Sequence, residues 1–77
     1  MDTDVQEALN EQIGKELYAA YLYLAMCAHF ELKSLPGFAN WMRLQAEEEV
    51  GHAMRLFDYM TSRGAAVVFG GVAAPPE

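Results

Sequence analysis

Ser34-Leu35-Pro36-Gly37 is the stretch that decides the architecture of this 77-residue chain. Proline cannot continue a helix that precedes it, yet it is tolerated in the first turn of a new one. The segment therefore ends one helix and begins another. From Thr3 to about Lys33 there is no proline, and the one glycine is Gly14. Apolar residues recur at Val5, Leu9, Ile13, Leu17, Ala20, Leu24 and Cys27, which is helical spacing. Thr3-Asp4-Val5-Gln6 has the form of a capping box, in which the Thr3 side chain accepts from a first-turn amide and Gln6 reaches back. The reading is a first helix over about residues 4–33, roughly 45 Å long at about 1.5 Å per residue. A second helix follows over about 36–63, with Gly64 where a left-handed C-terminal cap belongs. So short a loop makes the two helices antiparallel neighbours. The fold class is all-α, an antiparallel two-helix hairpin.

That hairpin is not self-sufficient. Tyr18, Tyr21, Tyr23 and Phe30 are spread around the first helix, and Trp41, Met42, Phe57, Tyr59 and Met60 around the second. An apolar arc that wide needs more than one facing helix to cover it. Two hairpins packed face to face would share a core as a four-helix bundle, so the expectation is a symmetric homodimer. Residues 65–77 change character. Val67-Val68-Phe69 is apolar, Gly70-Gly71 is permissive, and Pro75-Pro76 excludes helix, so this reads as an extended tail laid along the bundle with a loose end.

Composition agrees and excludes other classes. A single small unit buries only about 60% of its unfolded surface, and with Cys27 as the only cysteine no intrachain disulfide can support it. A metal or a partner subunit remains. The net charge of −6 argues against nucleic acid, whose phosphates require clustered Lys and Arg. The apolar stretch Leu17–Phe30 is too short and too interrupted to span a membrane. The N-terminus opens with Asp2 and Asp4 instead of a basic region, so no secretory signal is read and a cytoplasmic location is expected.

The chemistry concentrates in Glu49-Val50-Gly51-His52. Residues three apart on a helix face the same side, so this carboxylate and imidazole can grip one metal ion. Glu-x-x-His is the pair used by di-iron carboxylate bundles, with a further Glu from each of the other two helices. As a bare four-residue pattern it is weak, because exposed salt-bridging helices carry it too. Glu16 strengthens it, since a carboxylate among Leu17, Ala20 and Leu24 is costly unless paired or metal-bound. Counted from Pro36, Glu16 and the pair Glu49/His52 differ in height by only about one to two turns, close enough for one site given the overhang of the turn. Gly51 is unusual inside a helix, where it costs about 1 kcal/mol against Ala. One hairpin carries one Glu plus one Glu-x-x-His, and a two-fold pair would double that to four carboxylates and two imidazoles.

Leu9-Asn10-Glu11-Gln12-Ile13-Gly14-Lys15-Glu16-Leu17-Tyr18-Ala19-Ala20-Tyr21-Leu22-Tyr23-Leu24 resembles the first helix of bacterial and archaeal non-haem ferritins. Leu35-Pro36-Gly37-Phe38-Ala39-Asn40-Trp41-Met42-Arg43 and Gln45-Ala46-Glu47-Glu48-Glu49-Val50-Gly51-His52-Ala53-Met54 resemble their second helix. The resemblance covers essentially the whole chain, but only the N-terminal two-helix half of the family's four-helix subunit. It implies a ferritin-like bundle, completed either by a longer chain or by dimerisation. It also implies Glu16 as a terminal iron ligand, Glu49 as the bridging carboxylate and His52 as the nitrogen ligand. Tyr23 matches a tyrosine near the iron centre that hydrogen-bonds a ligand or donates an electron. Glu48 matches an accessory iron position of some members.

The expected activity is a ferroxidase, with two irons per dimer oxidised from Fe(II) to Fe(III) by O2 or H2O2. Two alternatives stay open, a rubrerythrin-like peroxide-scavenging centre and a non-enzymatic dimer holding zinc or another metal. Cys27 and the aromatics read as core, His29 and Glu47 as surface.

Overall fold

The computed structural model describes all 77 residues. Helix α1 spans Thr3–Leu32 and helix α2 spans Pro36–Ser62, with no strands. Three residues join them, and Ser34 takes a left-handed conformation at φ 56° to close the turn. Pro36 stands at the first position of α2, where its missing N–H costs nothing. Gly64 ends the second helix at φ 69°, a conformation that glycine adopts without a Cβ penalty.

The N-terminal cap differs from the capping-box reading. Thr3 is already helical, and Asp2 caps instead, its Oδ1 accepting from the Asp4 amide at 2.7 Å. Gln6 does not reach back. Its Oε1 accepts from the Ala66 amide at 3.0 Å, so the residue is spent on the tail.

The seam between the helices follows a seven-residue repeat. Ala39, Ala46, Ala53 and Met60 are buried on α2, facing Ile13 and Ala20 on α1. Cys27 continues the α1 row one repeat further on and is half-buried. Small residues at three of the four α2 positions let the helices approach closely, and Ile13, Ala53 and Met60 form the core cluster at the open end of the hairpin. Leu9, Leu17, Leu56, Phe57, Ala65 and Val67 pack around it.

Residues 65–77 run without helix or strand back along α1. Asn10 secures them with both ends of its amide: Nδ2 donates to the Ala66 carbonyl at 3.1 Å, and Oδ1 accepts from the Val68 amide at 3.0 Å. Phe69 stacks on Phe57. Pro75 is half-buried against Tyr21, Leu24 and Ala25, and Glu77 lies beside Leu22 and His29.

Even with its tail docked, the hairpin covers little of itself. Six of 77 residues are buried, and the largest fully buried side chain is Met60. The accessible surface is 5437 Å², against about 4,700 Å² for a compact monomer of this mass. The excess reflects a slab measuring 48 × 21 × 12 Å, one layer of helices thick. No helix is long and apolar enough to cross a membrane.

Candidate metal centre

Glu16, Glu49 and His52 come together midway along the hairpin. One donor atom from each lies within 4.8 Å of the others. His52 Nδ1 is 3.4 Å from Glu16 Oε2 and 3.7 Å from Glu49 Oε2. These separations are long for strong hydrogen bonds. They approach what two ligands of one ion show, since bonds of about 2.1 Å at right to tetrahedral angles put donors roughly 3.0–3.4 Å apart. The two carboxylates are well covered, with side chains 18% and 19% exposed, and the imidazole is 37% exposed.

The two helices bring the three residues into one cluster, with Glu16 level with His52. Glu16 lies 16 residues before the end of α1 at Leu32, while Glu49 and His52 lie 13 and 16 residues after Pro36. Counting Glu16 from Pro36 treats the residues of the turn as helical rise. They cross from one helix to the other and add no height.

The carboxylates perturb each other. A hydrogen bond from Glu49 holds Glu16 below the usual carboxylate range, helped by the Gln12 amide and by His52 and opposed by burial. Glu49 is pushed up, first by that same contact with Glu16, then by burial and by the Glu16 charge, against the pull of His52. The contact thus splits the two carboxyls, favouring the ionised form of Glu16 and the protonated form of Glu49. Two hard oxygens and one imidazole nitrogen suit iron, manganese or zinc.

The other candidates stand apart from this cluster. Glu48 turns outward and approaches the opposite imidazole nitrogen, Oε1 lying 3.9 Å from His52 Nε2. Tyr23 is half-buried on the same side of α1 as Glu16, about 10 Å further along at two helical turns. Glu47 is exposed and pairs with Arg43 at 3.5 Å. His29 is exposed, edge-on to Phe30. Gly51 neither kinks α2 nor allows a close approach, because an added Cβ would meet nothing within 4 Å.

One participant was not singled out from the sequence. Gln12 donates through Nε2 to Glu16 Oε1 at 3.1 Å. Its signal was its position four residues before Glu16, one turn away on the same face.

At 100° per residue, Gln12, Glu16, Tyr23 and Phe30 fall on one flank of α1, and Phe38, Trp41, Glu49, His52, Leu56 and Tyr59 on the matching flank of α2. The stacking of Phe30 on Phe38 at 5.3 Å fixes the two flanks to one side of the slab. Phe38, Trp41 and Tyr59 are strongly exposed there. The tail lies on the opposite flank, along Gln6, Asn10 and Tyr21.

An antiparallel helix pair that turns one Glu and one Glu-x-x-His to a common face matches half of the ligand pattern of a carboxylate-bundle metal site. Residues 6–77 match the ferritin-like domain of the ferritin family, to which the chain belongs. The bacterial non-heme ferritin of Bacteroides fragilis (strain 638R) is 47% identical over 60 residues, covering 78% of this chain and 38% of the relative. That of Staphylococcus aureus (strain USA300) is 40% identical over 75 residues, covering 97% and 45%. A novel open pore ferritin from the hyperthermophilic archaeon Archaeoglobus fulgidus superposes with a TM-score of 0.96 at 47% identity, over 99% of this chain and 47% of that one. A humanized archaeal ferritin gives the same TM-score at 43% identity. The chain thus spans less than half the length of these relatives.

Proposed function

We propose that two copies of this chain pair through the flank bearing Glu16, Glu49 and His52 and form a di-iron ferroxidase centre. The observation that carries the reading is the convergence of these three side chains, half a ligand set, on a face that the chain leaves uncovered. A symmetric pair supplies two of each ligand and brings Phe38, Trp41 and Tyr59 out of water in the same step.

In this reading iron is the substrate. Glu16 binds one ion terminally, Glu49 bridges two, and His52 gives each a nitrogen donor. Carboxylate oxygens are hard donors that favour Fe(III) over Fe(II), so the site lowers the cost of oxidation. Two Fe(II) lose one electron each. With O2 as acceptor, two protons are taken up and hydrogen peroxide forms, and with H2O2 as acceptor, two protons are taken up and two waters form. Glu49 holds a proton more tightly than an ordinary glutamate, so protons compete with iron for it as pH falls. Tyr23, about two helical turns from Glu16 on the same stripe, hydrogen-bonds a ligand or donates an electron during oxidation. Glu48, on the outer side of His52, offers a carboxylate for an accessory iron.

Anaerobic addition of Fe(II) followed by oxygen tests the reading. The expected result is a ferric absorbance that saturates near two irons per two chains. A parallel run with hydrogen peroxide as sole oxidant tells which acceptor the centre uses. No iron uptake, or uptake without oxidation by either oxidant, would contradict it.

A further inference from the structure

We infer that Gln12 is a positioning residue of this metal centre, tethering one oxygen of Glu16 so that the other alone faces the ion. The inference rests on the metal-centre reading above and adds to it a division of labour between the two glutamates.

The two oxygens of Glu16 have separate partners. Oε1 takes the Gln12 amide at 3.1 Å, and Oε2 faces His52 Nδ1 at 3.4 Å. The Gln12 amide presents its NH2 group to this oxygen, the side that can donate to a carboxylate. The last torsion of a glutamate is broad and roughly two-fold, so an untethered carboxylate turns easily and can offer both oxygens to a metal. A donor fixed on Oε1 removes that freedom. It leaves a one-oxygen terminal ligand aimed at the imidazole.

Glu49 is the contrast within the same molecule. Gln45 stands four residues before it, as Gln12 does before Glu16. Yet the partners of Glu49 are Glu16 and His52 alone, and Gln45 does not bond to it. A carboxylate that is to bridge two ions needs both oxygens, and Glu49 keeps both. Thus α1 tethers its carboxylate and α2 leaves its own free. In the paired bundle Gln12 would be enclosed on the site flank, where an amide needs a partner. Glu16 provides one within its own helix.

Anaerobic Co(II) titration of the full chain, with the ligand-field spectrum recorded throughout, tests this. Gln12→Met and Gln12→Leu remove the donor while keeping the bulk. Gln45→Met makes the same change at the matching position of α2. For both Gln12 variants, Co(II) affinity is expected to fall by about 10-fold, the lower end of what losing an outer hydrogen-bond partner costs. The visible bands should weaken as Glu16 becomes bidentate and the coordination number rises. Gln45→Met should bind and absorb as the wild type does. Sedimentation of each variant checks that pairing is intact. Wild-type affinity and spectrum in both Gln12 variants would overturn the inference, as would equal losses at Gln12 and Gln45. If the wild-type chain takes up no Co(II), the metal-centre reading fails first and this one with it. If it binds and the Gln12 variants bind alike, only the positioning role fails.

Discussion

The two flanks of this hairpin are built from the same two helices, and they are finished in opposite ways. One flank is covered by the chain itself: the tail crosses it, pinned by Gln6 and Asn10 and by the stack of Phe69 on Phe57. The other carries Glu16, Glu49 and His52 and leaves Trp41 54% exposed between the site and the turn. In the proposed pair the chemistry lies at a surface between molecules and the structural support at a surface within one.

The largest expected effect separates the flanks through the ligands. His52→Ala and Glu49→Gln should each reduce Fe(II) binding by more than the about 10–100-fold typical of outer-shell losses, as measured by anaerobic titration. Asn10→Ala on the tail flank should leave it unchanged. Glu49→Gln carries a second, opposite signature. The pKa of Glu49 is raised in the folded state, so its favourable contribution is complete below the ordinary glutamate range and is lost as pH rises through the folded value. At neutral pH its charge opposes folding of the metal-free protein. The glutamine variant should therefore melt higher than the wild type without metal and gain nothing when metal is added. Glu16 has the reverse sign, being lowered, and its contribution is lost as pH falls. Iron affinity in the wild type should accordingly weaken on acidification at a higher pH than an isolated glutamate would give, because the proton on Glu49 competes.

Next in size is the pairing itself. Trp41→Asp on the site flank should weaken self-association by about 30-fold or more, the level of an interface hot spot of at least about 2 kcal/mol. Met54→Asp, equally exposed on the opposite flank, should change it by less than threefold. Sedimentation across a concentration series distinguishes the two, and equal effects would erase the contrast between the flanks.

Smaller still is the tail anchor. Asn10→Ala removes two hydrogen bonds, each worth about 1 kcal/mol. Thermal melting should drop by several degrees, and hydrogen exchange at Val68 should accelerate, with metal binding intact. The smallest effect concerns Gly51, where an added methyl meets nothing. Gly51→Ala should stabilise by about 0.5–1 kcal/mol through helix propensity alone. A loss instead would mean that a partner approaches that face of α2.

Much of this arrangement is legible in the sequence, for identifiable reasons. Pro36 and the uninterrupted apolar spacing on either side of it determine two helices and a tight turn. The three-residue offset of Glu49 and His52 puts them on one face whatever surrounds them. What the letters do not carry is long-range hydrogen bonding. Nothing local tells that Gln6 and Asn10 hold backbone groups 56 to 60 residues away, and so the Gln6 side chain reads as half of a capping box. Height is legible only to within a turn or two. Residues in a turn look like any others in a count, but those between Leu32 and Pro36 contribute no rise, and this alone moves Glu16 from one or two turns away to the level of His52.

The central claim is that one chain holds half a metal centre and a second copy completes it. Native mass spectrometry of the protein titrated anaerobically with Fe(II) tests it most directly, because mass and iron count are read on the same particle. The account predicts a species of two chains carrying two irons and no appreciable single chain with metal. A folded single chain of 8.6 kDa holding its own iron, or a pair that stays metal-free at saturating Fe(II), would contradict it.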